Sequence, residues 1–152
     1  MMALSIRQPW AWLILNAGKD IENRDWATNV RGHILIHASK GMTRDEYEGA
    51  QDTLWDIHED RIRFPAFAEL ERGGFVGTVE IADCVAESSS PWFFGNYGFV
   101  LRDPKPMPFI PYKGRLGFFD VPICLNCGGV AGEHSLMCFR DTEPPKFGAM
   151  HS

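Results

Sequence analysis

The stretch SIRQPWAWLILNAGKDIENRDW (residues 5–26) decides the fold, because it joins a helix pattern to a short, highly polar segment. Gln8 to Asn16 predicts a helix, and Pro9 is suited to its first turn. Gly18 is of the residue type that commonly ends a helix. KDIENR (19–24) predicts a short strand or extended segment, whose charged side chains must face water or pair with one another.

Apolar patterning predicts the strands. ALSI (3–6) favours a short strand, and GHILIHA (32–38) is a near-continuous apolar run, typical of a strand covered on both faces. GFVGTVEIADCV (74–85) alternates as a half-buried strand does. Two more strands are expected at Tyr97 to Arg102 and Leu116 to Ile123, with DPKPMPFIPYKG (103–114) as a proline-rich connector between them.

Two helices are expected between the early and the late strands. Thr43 and Glu46 have the spacing of a capping box for a helix that extends to about Ile57. Pro65 is suited to start a second short helix, which ends at the glycine pair 73–74. Strands and helices do not alternate as they do in a doubly wound parallel sheet. The sequence therefore predicts an α+β, mainly β fold, a small mixed or antiparallel β-barrel with two to three packed helices.

Length and composition indicate one folded domain. The chain has 152 residues, of which 45% are hydrophobic and 23% charged, enough apolar material for one core, so disorder is excluded over most of the chain. Its apolar stretches are too short to span a bilayer, and its first ten residues lack the pattern of a secretory signal. We therefore expect no membrane association and a cytoplasmic location with reduced cysteines.

The net charge of −5 excludes a broad basic surface for nucleic acid. The charge is uneven, however. Residues 1–45 carry six basic and four acidic side chains, residues 46–90 carry three and eleven, and residues 91–152 carry six and five. An anionic ligand is therefore expected to meet the two ends, provided that they converge in space.

A cluster of charged and aromatic residues in the opening stretch has two interpretations. Its members are Arg7, Trp10, Lys19, Glu22, Arg24 and Trp26. In the structural interpretation, Glu22 pairs with Lys19 or Arg24 and pins the helix to the sheet, while the tryptophans belong to the core. In the functional interpretation, the cluster is a pocket in which cations hold a phosphate, a tryptophan stacks on a base and Glu22 reads or activates a polar edge.

The chain resembles the ASCH domain, which belongs to the PUA-like group of small β-barrels. The resemblance is carried by SIRQPWAWLI (5–14), GKDIENR (18–24), Trp26, RGHILIHASK (31–40), YGFVL (97–101) and KGRLGFFDV (113–121). Lys19, Glu22 and Arg24 match the family motif G-x-K-x-x-E-x-R, whereas its glycine is displaced by one position, to Gly18. We accordingly expect an ASCH domain over residues 1–123 and a tail rich in Cys, Gly and Pro over residues 124–152.

The resemblance implies a cleft between the barrel and its helices, lined by the motif residues. PUA-like relatives bind RNA or read modified bases, and ASCH domains have been proposed as RNA-binding modules in translation and transcription coactivation. The resemblance therefore predicts an RNA-processing or binding module, whose ligand is RNA, another single-stranded nucleic acid or a modified nucleoside. Its expected ligand-binding residues are Arg7, Trp10, Lys19, Glu22, Arg24, Trp26 and Lys113.

Two alternatives stay open: a hydrolase with Lys19 and Glu22 as catalytic residues, and a protein-interaction adaptor in which the motif only holds the fold. Some ASCH members are ribonucleases. Another set removes the acetyl group of 4-acetylcytidine with a threonine nucleophile, at the position that Glu22 occupies here. A carboxylate cannot replace that hydroxyl, although Glu22 with Lys19 is able to activate a water. For a ribonuclease, His33 and His37 add suitable groups on one face of their strand.

The last part of the chain contains four residues of the types that ligate zinc, namely Cys124, Cys127, His134 and Cys138. Their spacing departs from that of the usual zinc knuckle. A zinc-binding element and a flexible tail with reduced thiols therefore both stay open. A zinc knuckle would suit single-stranded RNA.

An aromatic loop, ESSSPWFFGN (87–96), also has two interpretations. It either plugs one end of the barrel or forms a wall on which a base stacks. Lys113 and Arg115, on either side of Gly114, either add phosphate contacts at the same rim or are merely solvated, as charges near proline-rich connectors commonly are.

Overall fold

Six strands form one curled, half-barrel sheet in the part of the protein that the computed structural model describes, residues 1–58 and 62–122. They are β1 (Met2–Ile6), β2 (Ile21–Arg24), β3 (Gly32–Ala38), β4 (Gly74–Val85), β5 (Tyr97–Pro111) and β6 (Phe118–Asp120). Their order in the sheet is β2-β5-β4-β3-β1-β6. The β1–β3 pair is parallel and the other pairs are antiparallel. This confirms the predicted α+β, mainly β fold and is consistent with a PUA-like barrel.

Within residues 1–58 and 62–122, two helices accompany the sheet, α1 (Trp10–Asn16) and α2 (Arg44–Ile57), together with one 3₁₀ turn (Phe67–Glu69). α2 begins with the predicted capping box, in which Thr43 Oγ1 accepts from the backbone N–H of Glu46 at 3.1 Å. The Glu46 carboxylate accepts from the backbone N–H of Thr43 at 2.8 Å in return. Of the helices described, none has the length and apolar character needed to cross a membrane.

The second short helix, expected from Pro65 to the glycine pair 73–74, is reduced to the 3₁₀ turn. The hydroxyl of Tyr47 donates to the carbonyl of Pro65 at 2.5 Å, and the N–H of Glu69 bonds to the carbonyl of Ala66 at 2.9 Å. In an α-helix the N–H of Glu69 would bond to the carbonyl of Pro65, but here each of these groups has another partner. Leu70 packs in one cluster with Tyr47, which keeps this segment against α2.

β5 is longer than predicted, because the proline-rich segment belongs to the sheet. A strand was expected to end at Arg102, but pairing with β4 continues to Pro111, which lies opposite Gly74. β2 pairs with β5 only over residues 97–100, so the remainder of β5 has β4 as its one described neighbour. Prolines are tolerated in such a strand because one of its sides needs no hydrogen-bond donors. β6, in contrast, is shorter than the strand predicted for residues 116–123.

The core lies on both faces of β3, as its apolar run predicts. Ile34, Ile36 and Ala38 belong to the cluster that also contains the apolar side chains of α1. Leu35 belongs to a second cluster, which includes Phe75. Because successive side chains of a strand point to opposite faces, this division shows that β3 is covered on two sides.

Candidate functional site

The motif residues Lys19, Glu22 and Arg24 lie where the chain leaves α1 and enters β2. Gly18 turns the backbone at this point with a φ of +76°, a conformation that glycine adopts without strain. The backbone N–H of Lys19 still bonds to the carbonyl of Leu13, at 3.1 Å. The Lys19 side chain is therefore directed from the end of α1 toward β2.

Glu22 pairs with both cations of the motif. Its Oε1 lies 3.6 Å from Lys19 Nζ, and its Oε2 lies 2.8 Å from Arg24 Nη2. Lys19 is 4% exposed and Glu22 is 7% exposed, and the Lys19 ammonium also donates to the carbonyl of Ile21. Burial lowers the pKa of Lys19, and the Glu22 carboxylate offsets part of that effect. Lys19 and Glu22 thus form a buried ion pair, in which the lysine is also hydrogen-bonded to Ile21, rather than an open cationic pocket.

Arg24 connects this pair to β1 and to an aromatic ring. Its Nη2 donates to the carbonyl of Ser5 at 2.6 Å, and its guanidinium carbon lies 5.6 Å from the centre of the Trp26 ring. On the other side of the motif, Lys19 Nζ lies 5.9 Å from the ring centre of Trp10. The structure therefore brings together five of the residues that the sequence singles out.

A cleft of about 430 Å³ opens beside Ser5. Its lining residues are Ser5, His37, Ser39, Lys40, Gly73, Tyr112, Lys113, Gly114, Arg115 and Leu116. Lys40, Lys113 and Arg115 are all exposed, and none of them forms an ion pair with a carboxylate of the described residues. Among the described residues, no acidic side chain lines this cleft, so the described lining is positively charged in a chain whose net charge is −5.

His37 is the buried polar side chain of the cleft, with 3% exposure. Its Nε2 lies 2.6 Å from the carbonyl oxygen of Tyr112, which can only accept, so Nε2 carries the proton. Its Nδ1 has no hydrogen-bond partner within the described parts of the chain. Gly114 covers this edge of the ring, and a Cβ at that position would lie 2.6 Å from Nδ1. A side chain at 114 would therefore displace the segment that carries Lys113 and Arg115.

A second, smaller hollow of about 220 Å³ lies beside Arg24. It is lined by Asn23, Arg24, Asp25, Trp26, Phe94 and Gly95. Asn23 holds the aromatic loop against β2, since its amide donates to the carbonyl of Trp92 at 2.9 Å. Its carbonyl oxygen accepts from the backbone N–H of Phe94 at 2.8 Å.

A sequence model of the ASCH domain matches residues 4–98, which is more than half of the chain. The chain belongs to the ASCH domain family. The matched region contains the ion-paired motif, most of β1, β3 and Lys40, whereas Lys113 and Arg115 of the cleft lie beyond it. The domain limits expected from the sequence, 1–123 and 124–152, stay a prediction.

This chain is also similar to two curated proteins. Activating signal cointegrator 1 of Homo sapiens is 29% identical over 144 residues, an alignment that covers 85% of this chain and 24% of that protein. Activating signal cointegrator 1 of Mus musculus is 28% identical over 139 residues, with the same two coverages. The chain thus spans about a quarter of the length of these relatives.

Arg7 and His33 of this ASCH domain have partners outside the motif cluster. Arg7 donates from Nε and Nη2 to the two carboxylate oxygens of Glu46, at 2.7 and 2.6 Å. These bonds lower the pKa of Glu46 to about 2, with a further contribution from Thr43. His33 Nε2 lies 3.1 Å from a carboxylate oxygen of Asp103, whereas His37 contacts Tyr112 in the cleft.

The four predicted zinc ligands, Cys124, Cys127, His134 and Cys138, lie outside the described residues. The zinc site in the tail therefore stays a prediction. Within the described residues, no group of three or more His, Cys, Asp or Glu side chains is arranged to hold a metal ion.

Sequence analysis missed the contribution of β3 to the cleft. Lys40 and Ser39 follow β3 directly, and Ser5 of β1 is in register with His37 of β3. The parallel pairing of β1 with β3 brings these residues together, and this pairing joins segments about thirty residues apart that carry no local signal. The sequence pointed to this region only through His37, as a candidate group of a ribonuclease, and through the stretch RGHILIHASK (31–40), which contains Lys40.

Proposed function

We propose that this ASCH domain binds single-stranded RNA through the cleft that contains Lys40, Lys113 and Arg115. The observation that carries the proposal is the concentration of three exposed cations around a cleft that no described acidic residue lines. Exposed cations of this kind neutralise phosphates at little desolvation cost. RNA binding is also a general association of the ASCH family.

The size of the cleft favours a single strand over a duplex. A volume of about 430 Å³ accommodates a short piece of a nucleic-acid backbone, and three cations neutralise few phosphates at once. A single strand also presents its bases to neighbouring side chains, as sequence-dependent RNA recognition requires. The net charge of −5 opposes a longer electrostatic footprint.

In this proposal the motif acts through β1. Lys19 and Glu22 hold Arg24, and Arg24 holds the carbonyl of Ser5, which lines the cleft. The hydroxyl of Ser5 in turn donates to the carbonyl of Arg115 at 2.5 Å. The buried ion pair thus supports the wall of the cleft on which one of the phosphate-binding cations is carried.

The test compares two double variants that change the net charge equally. In Lys113→Gln with Arg115→Gln, the cleft loses two cations. In the matched control, Arg63→Gln with Lys105→Gln, two exposed cations that pair with Glu69 and Asp103 are removed instead. The measurement is the fluorescence anisotropy of a labelled decauridylate RNA at several salt concentrations.

We expect the cleft variant to bind about tenfold more weakly at low salt or worse, with a slope of log affinity against log salt that is smaller by about 0.7 for each lost contact. The control is expected to bind as the unchanged protein does. Equal weakening of both variants would show unspecific charge attraction, and no binding by the unchanged protein would overturn the proposal.

The two alternatives have their own readouts in the same samples. Mass spectrometry of the RNA, and of 4-acetylcytidine incubated in parallel, detects any product. Loss of that product in Glu22→Gln would support the hydrolase, with Lys19 and Glu22 as catalytic residues. The name of the relatives describes a cointegrator and favours a protein-interaction module as the second candidate, which predicts no RNA binding at all. The cytoplasmic location stays a prediction.

A further inference from the structure

We infer that the second hollow, beside Trp26 and Phe94, is a subsite for one nucleobase and prefers guanine to uracil. This inference rests on the proposed function, since the base belongs to the RNA strand held in the cleft. It deepens that function by naming where a base is read and which base is favoured.

Two exposed aromatic rings flank the hollow. Trp26 is 40% exposed and Phe94 is 56% exposed, so both side chains present part of their ring to solvent beside the hollow. Trp26 packs edge-on against Phe99 and Phe118, with ring centres 5.4 and 5.8 Å apart. Its ring is thereby fixed in place, so that stacking of a base on its open surface requires little loss of side-chain freedom.

The hollow and the cleft share a border. Gly117 lies next to the Trp26 ring, since a Cβ at Gly117 would be 3.9 Å from Trp26 Cζ2. The carbonyl of Gly117 accepts from the N–H of Ser5 at 3.2 Å. Leu116 and Arg115, the two preceding residues, line the cleft. A strand whose phosphates contact the cleft can therefore pass over this short segment and present a neighbouring base to Trp26.

The polar groups of the hollow decide which base fits. Asp25 is exposed, and its carboxylate accepts a long hydrogen bond of 3.5 Å from the amide of Asn96. A carboxylate accepts two parallel hydrogen bonds from guanine, whose ring N–H and amino group lie side by side. Uracil offers one N–H between two carbonyl oxygens, and these repel a carboxylate. Arg24, whose guanidinium faces the Trp26 ring, limits the repulsion between Asp25 and the RNA phosphates.

The test uses three RNA probes and four variants of the full chain. The probes are decauridylate, the same oligonucleotide with one central guanine, and an oligonucleotide of the same length without bases. The variants are Asp25→Asn, Phe94→Ala, Trp26→Leu and, as a matched aromatic control, Trp55→Leu on α2, whose side chain is 38% exposed. Circular dichroism melting identifies any variant that fails to fold. If Trp26→Leu does not fold, Phe94→Ala, which lies in an exposed loop, still tests the subsite.

We expect the guanine-containing RNA to bind the unchanged protein about fivefold more tightly than decauridylate, and Asp25→Asn to remove this difference. Phe94→Ala and Trp26→Leu should weaken both base-containing probes about fivefold or more and leave the probe without bases unaffected. Trp55→Leu should change none of the three affinities.

Equal affinity of the unchanged protein for the two base-containing probes would overturn the inference. Unaltered binding by Phe94→Ala and Trp26→Leu would do the same. If the probe without bases still binds in either case, and Lys113→Gln with Arg115→Gln weakens its binding, RNA binding by the cleft is supported and only the base subsite is refuted. If that probe does not bind, the proposed function fails as well.

Discussion

Arg24 donates a hydrogen bond from Nε to Oε2 of Glu22 at 2.9 Å. The same guanidinium donates from Nη2 to the carbonyl of Ser5 at 2.6 Å. Glu22, which is buried, therefore holds the Arg24 side chain that ties β2 to β1. The family motif thus connects three parts of the molecule: the end of α1, the edge strand β2 and the wall of the cleft.

Substitution of Lys19 by Met is expected to lower the free energy of unfolding by about 3 kcal/mol, because it removes one partner of a buried ion pair. Lys19→Met with Glu22→Gln should recover part of this loss, since no carboxylate then remains buried without its lysine. Urea unfolding of the single and double variants measures both effects.

The same Lys19→Met protein also distinguishes support from direct contact with a ligand. In this variant Glu22 still holds Arg24, and Arg24 still holds Ser5, so the folded protein should bind RNA as the unchanged protein does. A variant that keeps its stability but loses affinity would instead assign Lys19 to the binding surface, as the functional interpretation of the motif predicts.

The Arg7–Glu46 pair makes stability depend on pH in the acid range. Bonds from Arg7 hold the pKa of Glu46 at about 2, below its ordinary value of 4.5. A depressed pKa stabilises the folded state above the unfolded value, and the contribution is lost as the pH falls from about 4.5 to about 2.

Glu46→Gln should therefore be less stable than the unchanged protein by about 1 kcal/mol at neutral pH, a figure that allows for the partial exposure of the pair. The difference should shrink toward zero as the pH falls to about 2, because Glu46 of the unchanged protein becomes protonated in this range. Thermal melts from neutral pH downward measure it, with Glu48→Gln, an exposed position of the same helix, as the control. A difference that is constant over this range would contradict the assignment.

Gly114→Ala is expected to weaken RNA binding severalfold, because its Cβ would lie 2.6 Å from His37 Nδ1 and would shift the segment between Lys113 and Arg115. Adding His37→Ala should restore part of the affinity by making room. Gly49→Ala serves as the control, since a Cβ there meets nothing within 4 Å and lies on a helix, where alanine is favoured. Normal affinity of Gly114→Ala would show that the segment adapts without consequence for the cleft.

Local patterns were sufficient for most of the architecture. The capping box of α2 and the division of β3 between two core clusters follow from side-chain spacing within a few residues. The limits of β4, residues 74–85, also agree with the alternation that predicted them. In each case, the interactions that form the element lie within it or directly on its faces.

Long-range pairing accounts for the differences. The proline-rich part of β5 has the composition of a connector and becomes a strand only because β4 supplies pairing partners as far as Pro111. Arg7 precedes α1 in sequence and nevertheless pairs with Glu46 at the start of α2. Lys40 joins Lys113 and Arg115 only after β1 and β3 have paired. The residues of the motif were identified by their spacing, whereas the cleft required the tertiary structure.

The prolines of β5 also bear on how the protein behaves at high concentration. Pro104, Pro106 and Pro108 each lack a backbone N–H, so this part of the strand offers fewer hydrogen-bond donors than an ordinary strand. Beyond residue 100, β2 does not accompany β5, and this part of the strand is an edge of the described sheet. An edge with fewer donors is a poorer template for a strand from another molecule. The segment therefore protects the domain from edge-to-edge aggregation at the place where its sheet would otherwise be open to growth.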